Sequence, residues 1–319
     1  MLFLCVLCGN VFDGLYNFMD SAHPRFKILA AFAAVYVIWG STYLAIRLAV
    51  ESIPPFLMAG TRFILAGGGL YVWLRMRGAG KPTVAHWKST SVVGIMLLLI
   101  GNGGVSWAEQ FVPSGITALL IAVTPLWFVV FDWWNRGVKP TASTVGGLIL
   151  GTIGIIVLID PVELVGGDEV DLLGAFVLII ATMAWAWGSL YSRRVDMPSS
   201  PLLATAMEMV SGGVLLLLLS AVSGEFFRLD PSSISTSSFT SLFYLVIFGS
   251  LVAFSSYVWL LKVVHPALVS TYAYVNPVIA VFLGWLIAGE PLGGRILLAA
   301  AIIVAAVALI TTMNARRKK

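Results

Sequence analysis

The sequence predicts an all-α integral membrane protein, with ten transmembrane helices arranged as two inverted five-helix repeats around a central cavity. Three observations carry that expectation: composition, the spacing of apolar stretches with the placement of basic residues, and a phrase written twice. Of 319 residues, 59% are hydrophobic and 11% charged, where soluble domains carry about 25% charged residues. So few charges cannot cover a soluble chain of this length, and lipid is the natural solvent for most of it. A helix crosses the hydrocarbon in about 20 apolar residues and satisfies its own backbone as it does so.

Residues 1–26 read as a cytoplasmic leader. MLFLCVLC is apolar for only eight residues and lacks the basic n-region and cleavage site of a signal peptide. Cys5 and Cys8 form a C-x-x-C, but no second pair accompanies them for zinc and no βαβ unit for redox chemistry. Met19 opens a more ordinary leader, MDSAHPRFK, and is an alternative start.

Apolar stretches then follow at about 28–50, 55–74, 89–108, 113–134, 142–159, 172–192, 202–222, 239–261, 266–287 and 292–313. Each is too long and unbroken for a barrel strand of about 10 alternating residues. The connections are mostly short, so consecutive spans are antiparallel neighbours. With the N-terminus in the cytoplasm, 15 of the 19 Lys and Arg fall inside: Arg25, Lys27, Arg75, Arg77, Lys81, Lys88, Arg136, Lys139, Arg193, Arg194, Lys262, Arg316, Arg317, Lys318 and Lys319. Arg228 and Arg295 fall outside, and the loop 160–171, with five acids and no base, joins them. This asymmetry fixes both the number of spans and their direction. It also accounts for the net charge of +4 without invoking nucleic acid.

The repeated phrase is AVTPLWFVVFDWW at 122–134 and YVNPVIAVFLGWL at 274–286, which align Pro125 with Pro277 and Trp133 with Trp285. Three further pairs keep the same order: WGSTY at 39–43 with WGSLY at 187–191, GG at 67–68 with 212–213, and GGLIL at 146–150 with GGRIL at 293–297. The chain therefore divides into repeats over 27–160 and 161–313, with a basic cytoplasmic tail at 314–319. An odd number of spans per repeat inverts the second copy, the plan of secondary transporters that bind substrate near the midplane between halves.

Depth selects the candidate site. Trp39 lies 12 residues after Lys27, about 18 Å along a helix, whereas most Trp sit at the headgroup level. Trp39 with Tyr43, and Trp187 with Tyr191, share helix faces at i, i+4 and are expected to line a symmetric cavity. Asn102 and Ser106 add polar groups beside GNGG in the third span, Ser256 in the eighth, and Tyr272 with Asn276 in the ninth. Pro125 and Pro277 are expected to kink their helices and free carbonyls. Arg62 and Glu208 are charges within spans two and seven, and charges there are functional or paired. They are expected to pair with each other, or Glu208 to serve as a proton site. His23, His86 and His265 lie in loops or at helix ends, and no HExxH, nucleophile elbow or phosphate loop is present, so no catalytic residue, metal site or cofactor is expected.

The segments IWGSTYLAIRLAVESIPPFLMAGTRFILAG, GNGGVSWAEQFVPSGITALLIAVTPLW and GEPLGG resemble the ten-helix, EamA-type branch of the drug/metabolite transporter superfamily, over about residues 27–312. One departure is NRGVKPT after the fourth span, where the family often carries Gly-Glu; the second half keeps it as Gly289-Glu290. The resemblance implies a bacterial inner-membrane exporter of amino acids or related small metabolites, working by alternating access, with the bilayer and a small-molecule substrate as its partners. A monomer is compatible with this plan. A channel or scaffold, and export of other amphipathic metabolites or drugs, stand as alternatives.

Overall fold

A computed structural model describes residues 25–112, 117, 120–137, 139–159, 171–288 and 294–316. Residues 1–24 of the leader, most of the acidic loop, Gly289-Glu290 and the last three basic residues lie outside the described residues. Among the described residues the regular structure is helical: α1 (Arg25–Val50), α2 (Pro55–Met76), α3 (Val84–Ala108), α4 (Thr124–Arg136), α5 (Ala142–Ile159), α6 (Leu172–Ser192), α7 (Pro201–Val222), α8 (Thr236–Val263), α9 (Tyr272–Ala288) and α10 (Gly294–Arg316). Helices α1, α2, α3, α6, α7 and α8 are long and apolar enough to cross a membrane. Shorter apolar segments occupy Ala142–Val157 of α5 and Leu297–Val307 of α10.

Local chemistry sets the helix ends. Thr83 caps α3 reciprocally with His86, so α3 starts five residues before the apolar stretch does. Ser200 and Ser235 cap α7 and α8, and Asp171 caps α6. Pro54 cannot cap α2 with a side chain, and the cap comes from elsewhere. The carboxylate of Glu225, in the short helix Glu225–Arg228 that follows α7, accepts the N–H groups of Phe56 and Leu57 at 3.0 Å each. Burial holds the pKa of this carboxyl above its ordinary value, and the two N–H donors offset only part of that rise.

Two of the apolar stretches differ from expectation. α4 begins at Thr124, after a turn at Ala122 and Val123. Pro125 therefore sits in its first turn, where a missing N–H costs nothing, and it kinks no helix interior. The ninth span is also divided, into Pro266–Val269 and α9, with Pro277 inside α9 as expected.

Glycines let the helices close on one another. A Cβ at Gly67 of α2 would meet the Met209 Cβ of α7 at 2.5 Å, and one at Gly154 of α5 would meet Ile303 of α10 at 2.6 Å. The main helix contacts are α2 with α7, α5 with α10, α1 with α8 and α9, α6 with α3 and α4, α2 with α8, and α7 with α3. Adding five to each helix number, modulo ten, returns the same set. Two π-helical stretches follow the same rule, in α3 at Ile95–Asn102 and α8 at Leu245–Phe254, whereas a third, in α1 at Ala34–Ile38, has no counterpart in α6.

Candidate functional site

The π-helical stretches border the cavity. A π turn holds one more residue than an α turn and re-aims the side chains after it, and such turns concentrate at functional sites. Trp39 follows the stretch in α1 directly, Gly101 and Asn102 end that in α3, and Gly249 and Phe254 belong to that in α8. These residues, with Thr42, Tyr43, Arg62, Thr182, Trp185, Tyr272 and Asn276, line a cavity of about 90 Å³. That is room for about six waters at about 15 Å³ each, hence for the head of a small ligand.

An aromatic cluster forms one wall. Trp39 packs against Trp185 (5.6 Å between ring centroids), Tyr257 (5.0 Å) and Tyr272 (5.0 Å). Hydrogen bonds hold the rings. Trp39 Nε1 donates to the Gly249 carbonyl at 3.2 Å, and Trp185 Nε1 to the Tyr257 hydroxyl at 2.8 Å. The Tyr257 hydroxyl also meets Ser189 Oγ at 2.6 Å. Four helices are thereby tied together at one level: α1, α6, α8 and α9.

Asn276 is the polar hinge between α1 and α9. With its amide nitrogen turned toward the carbonyls, it donates to Tyr272 O at 3.0 Å and Tyr36 O at 3.2 Å. Nearby, the Tyr36 hydroxyl and Thr271 Oγ1 lie 2.6 Å apart. Asn102 faces the same cavity from α3, its Oδ1 buried without a partner.

Of the residues expected to bind substrate, Trp39, Tyr43, Asn102, Tyr272 and Asn276 come together here. The others are elsewhere. Ser106 is fully buried one turn beyond Asn102, behind the cavity wall. Ser256 Oγ donates to the Val252 carbonyl of its own helix at 2.8 Å. Trp187 is 38% exposed and stacks on Tyr191 outside the cavity, so the symmetric pairing of Trp39 with Trp187 is corrected to Trp39 with Trp185. The expected Arg62–Glu208 pair is also corrected. Arg62 Nε donates to Ser250 Oγ at 2.8 Å and its guanidinium lies against Gly249. The Glu208 carboxyl makes no ion pair with Arg62; it lies within the electrostatic reach of Lys262 and Tyr257 of α8, and neither of its buried oxygens has a hydrogen-bond partner. The two charges sit on helices that pack together, but each has different neighbours. Trp185 and Tyr257, which complete the aromatic wall, are not among the residues the sequence selected. The signal was their depth rather than any motif.

The model of the EamA-like transporter family matches this chain twice, over residues 25–160 and 172–312. The inner membrane transporter YedA of Escherichia coli strain K12 is 41% identical over 285 residues, covering 89% of this chain and 90% of that one. The transporter YoaV of Bacillus subtilis strain 168 is 25% identical, covering 92% and 99%. A "Probable amino-acid metabolite efflux pump" of Escherichia coli strain K12 is 22% identical over half of each chain. A solved crystal structure superposes with a TM-score of 0.72 at 22% identity, covering 91% of this chain and 99% of that one, a likeness of fold.

Proposed function

Because the chain belongs to the EamA-like transporter family, within the drug/metabolite transporter superfamily, we propose that it exports amino acids or closely related small metabolites across the bacterial inner membrane by alternating access. The family makes it a membrane transporter and not an enzyme. The observation that carries the finer reading is the cavity itself. It is walled by α1, α2, α3 and α4 of the first repeat and α6, α8 and α9 of the second, and it is aromatic with a few buried polar groups. Such a site suits a small, weakly polar or zwitterionic molecule and suits polyanions poorly. The relative described as an amino-acid metabolite efflux pump supports the substrate class.

The proposed architecture is ten spans in two inverted repeats, 27–160 and 161–313, with both termini cytoplasmic. The double family match and the five-helix periodicity of the contacts support it. In this reading Trp39, Tyr43, Asn102, Tyr272 and Asn276 touch substrate, and the two halves rock about them. The test is uptake of single radiolabelled amino acids into proteoliposomes, with and without a pH gradient. Saturable uptake of at least one is expected. Unsaturable flux points to a channel, and absence of flux for every amino acid rejects the substrate class.

A further inference from the structure

Arg62 is the one cation lining the cavity among the described residues, and its setting asks for an anion. It is 3% exposed, and the bilayer makes a charge at that depth expensive unless something compensates it. Its Nε is occupied by Ser250, while Nη1 is buried with no hydrogen-bond partner. No carboxylate of the described residues forms an ion pair with it. Three features hold the guanidinium in place: the Ser250 hydroxyl, the Phe63 ring 4.9 Å from Cζ, and Gly249. A Cβ at Gly249 would come within 2.7 Å of Nη2. A side chain that is fixed, charged and left one donor short toward a cavity is preorganised for a ligand group absent from the protein itself.

We propose that Arg62 anchors the carboxylate of the transported molecule, so that substrates carry a free carboxylate, with the amino group accepted by Asn102 Oδ1 on α3. This rests on the transport of amino acids proposed above and names the group by which they are recognised. The carboxylate supplies the acceptor that Nη1 lacks, and an ammonium supplies the donor that Asn102 Oδ1 lacks. The two residues thus line one cavity, and their partnerless atoms have opposite demands. A zwitterion meets both, whereas an amide keeps the amino group but loses the charge on the other end. A site with a buried cation rejects such an analogue strongly, because binding it strands the charge.

The experiment uses the full chain in proteoliposomes and compares alanine, threonine and valine with their carboxamides and with the decarboxylated amines, each as inhibitor of uptake of the labelled amino acids. Amides and amines weaker than the acids by at least about tenfold are expected. In Arg62→Gln this ratio should fall toward one while residual uptake persists. Should that variant fail to fold, Ser250→Ala and Gly249→Ala displace the guanidinium without removing it, and each should lower the ratio. The unaltered protein offers a further readout: alanine, and not its carboxamide, should protect Arg62 from phenylglyoxal. Equal inhibition by acids and amides in a protein that transports the acids overturns the anchor and leaves the transport reading standing. Absence of uptake of every labelled amino acid overturns both.

Discussion

Trp185 and Trp187 stand two residues apart on α6, about 200° around the helix, and their fates diverge accordingly. Trp185 faces inward against Trp39 and hydrogen-bonds Tyr257, while Trp187 faces outward on Tyr191. Trp185→Ala should cost about 3 kcal/mol of stability, within the usual range for truncating a packed aromatic, and should cut transport at least tenfold. Trp187→Ala should change transport less than twofold, since lipid can replace the lost ring contact. Flux and thermal unfolding of the two purified variants check this. The motif WGSxY pointed to Trp187, and the reason it misled is local. A π-helical stretch ends just before Trp39 and adds a residue to the turn, whereas α6 is regular throughout. The extra residue rotates Trp39 and Tyr43 by about 100° relative to their counterparts. Identical words in two helices therefore face different ways, and nothing in the five letters themselves reports the shift.

Between helices, paired glycines behave unequally. Gly67 meets α7 at contact too close for any side chain, but around Gly68 there is open space. Gly67→Ala should destabilise by about 1–3 kcal/mol through overpacking, visible as lost monodisperse yield. Gly68→Ala should be neutral or stabilise slightly, because it removes a helix-weakening glycine without a clash. On α7 both glycines are tight, since that helix lies between two others: Gly212 faces Leu98 of α3 and Gly213 faces Ile64 of α2. The sequence showed that glycine pairs recur but not which member of each faces a partner. The prolines divide in the same way. Pro277 lies inside α9 beside Asn276, where its ring removes a backbone donor, and Pro277→Ala should restore that hydrogen bond and slow transport several-fold while leaving affinity within about tenfold. Pro125→Ala, in the first turn of α4, should leave both nearly unchanged. Steady-state flux against substrate concentration separates these outcomes.

At the scale of the molecule, hydropathy and charge were the legible part. Six helices match their apolar stretches closely, because length and composition alone fix a span in lipid. The divided fourth and ninth apolar stretches were less legible, since an apolar run reads the same through a turn as through a helix. Orientation rests on the basic asymmetry and is testable. A reporter fused after Lys319 should be cytoplasmic, and a cysteine at Asp168 should react with an impermeant maleimide from the periplasm. A periplasmic C-terminus would overturn both the ten-span plan and the inverted repeat.

The contacts that repeat every five helices also bear on how the chain is made. Helix α2 closes on α7 through Gly67 and Gly213, and α1 packs against α8 and α9, which the ribosome completes some two hundred residues later. The first half, once inserted, must wait in the membrane with its glycine seam facing lipid. Neither half is a finished unit during synthesis, and quality control has that interval in which to act. A chain stopped after Ile159 should be degraded within minutes. The same fragment co-expressed with residues 160–319 should persist and co-purify with it, the interface between halves having formed between two separate polypeptides.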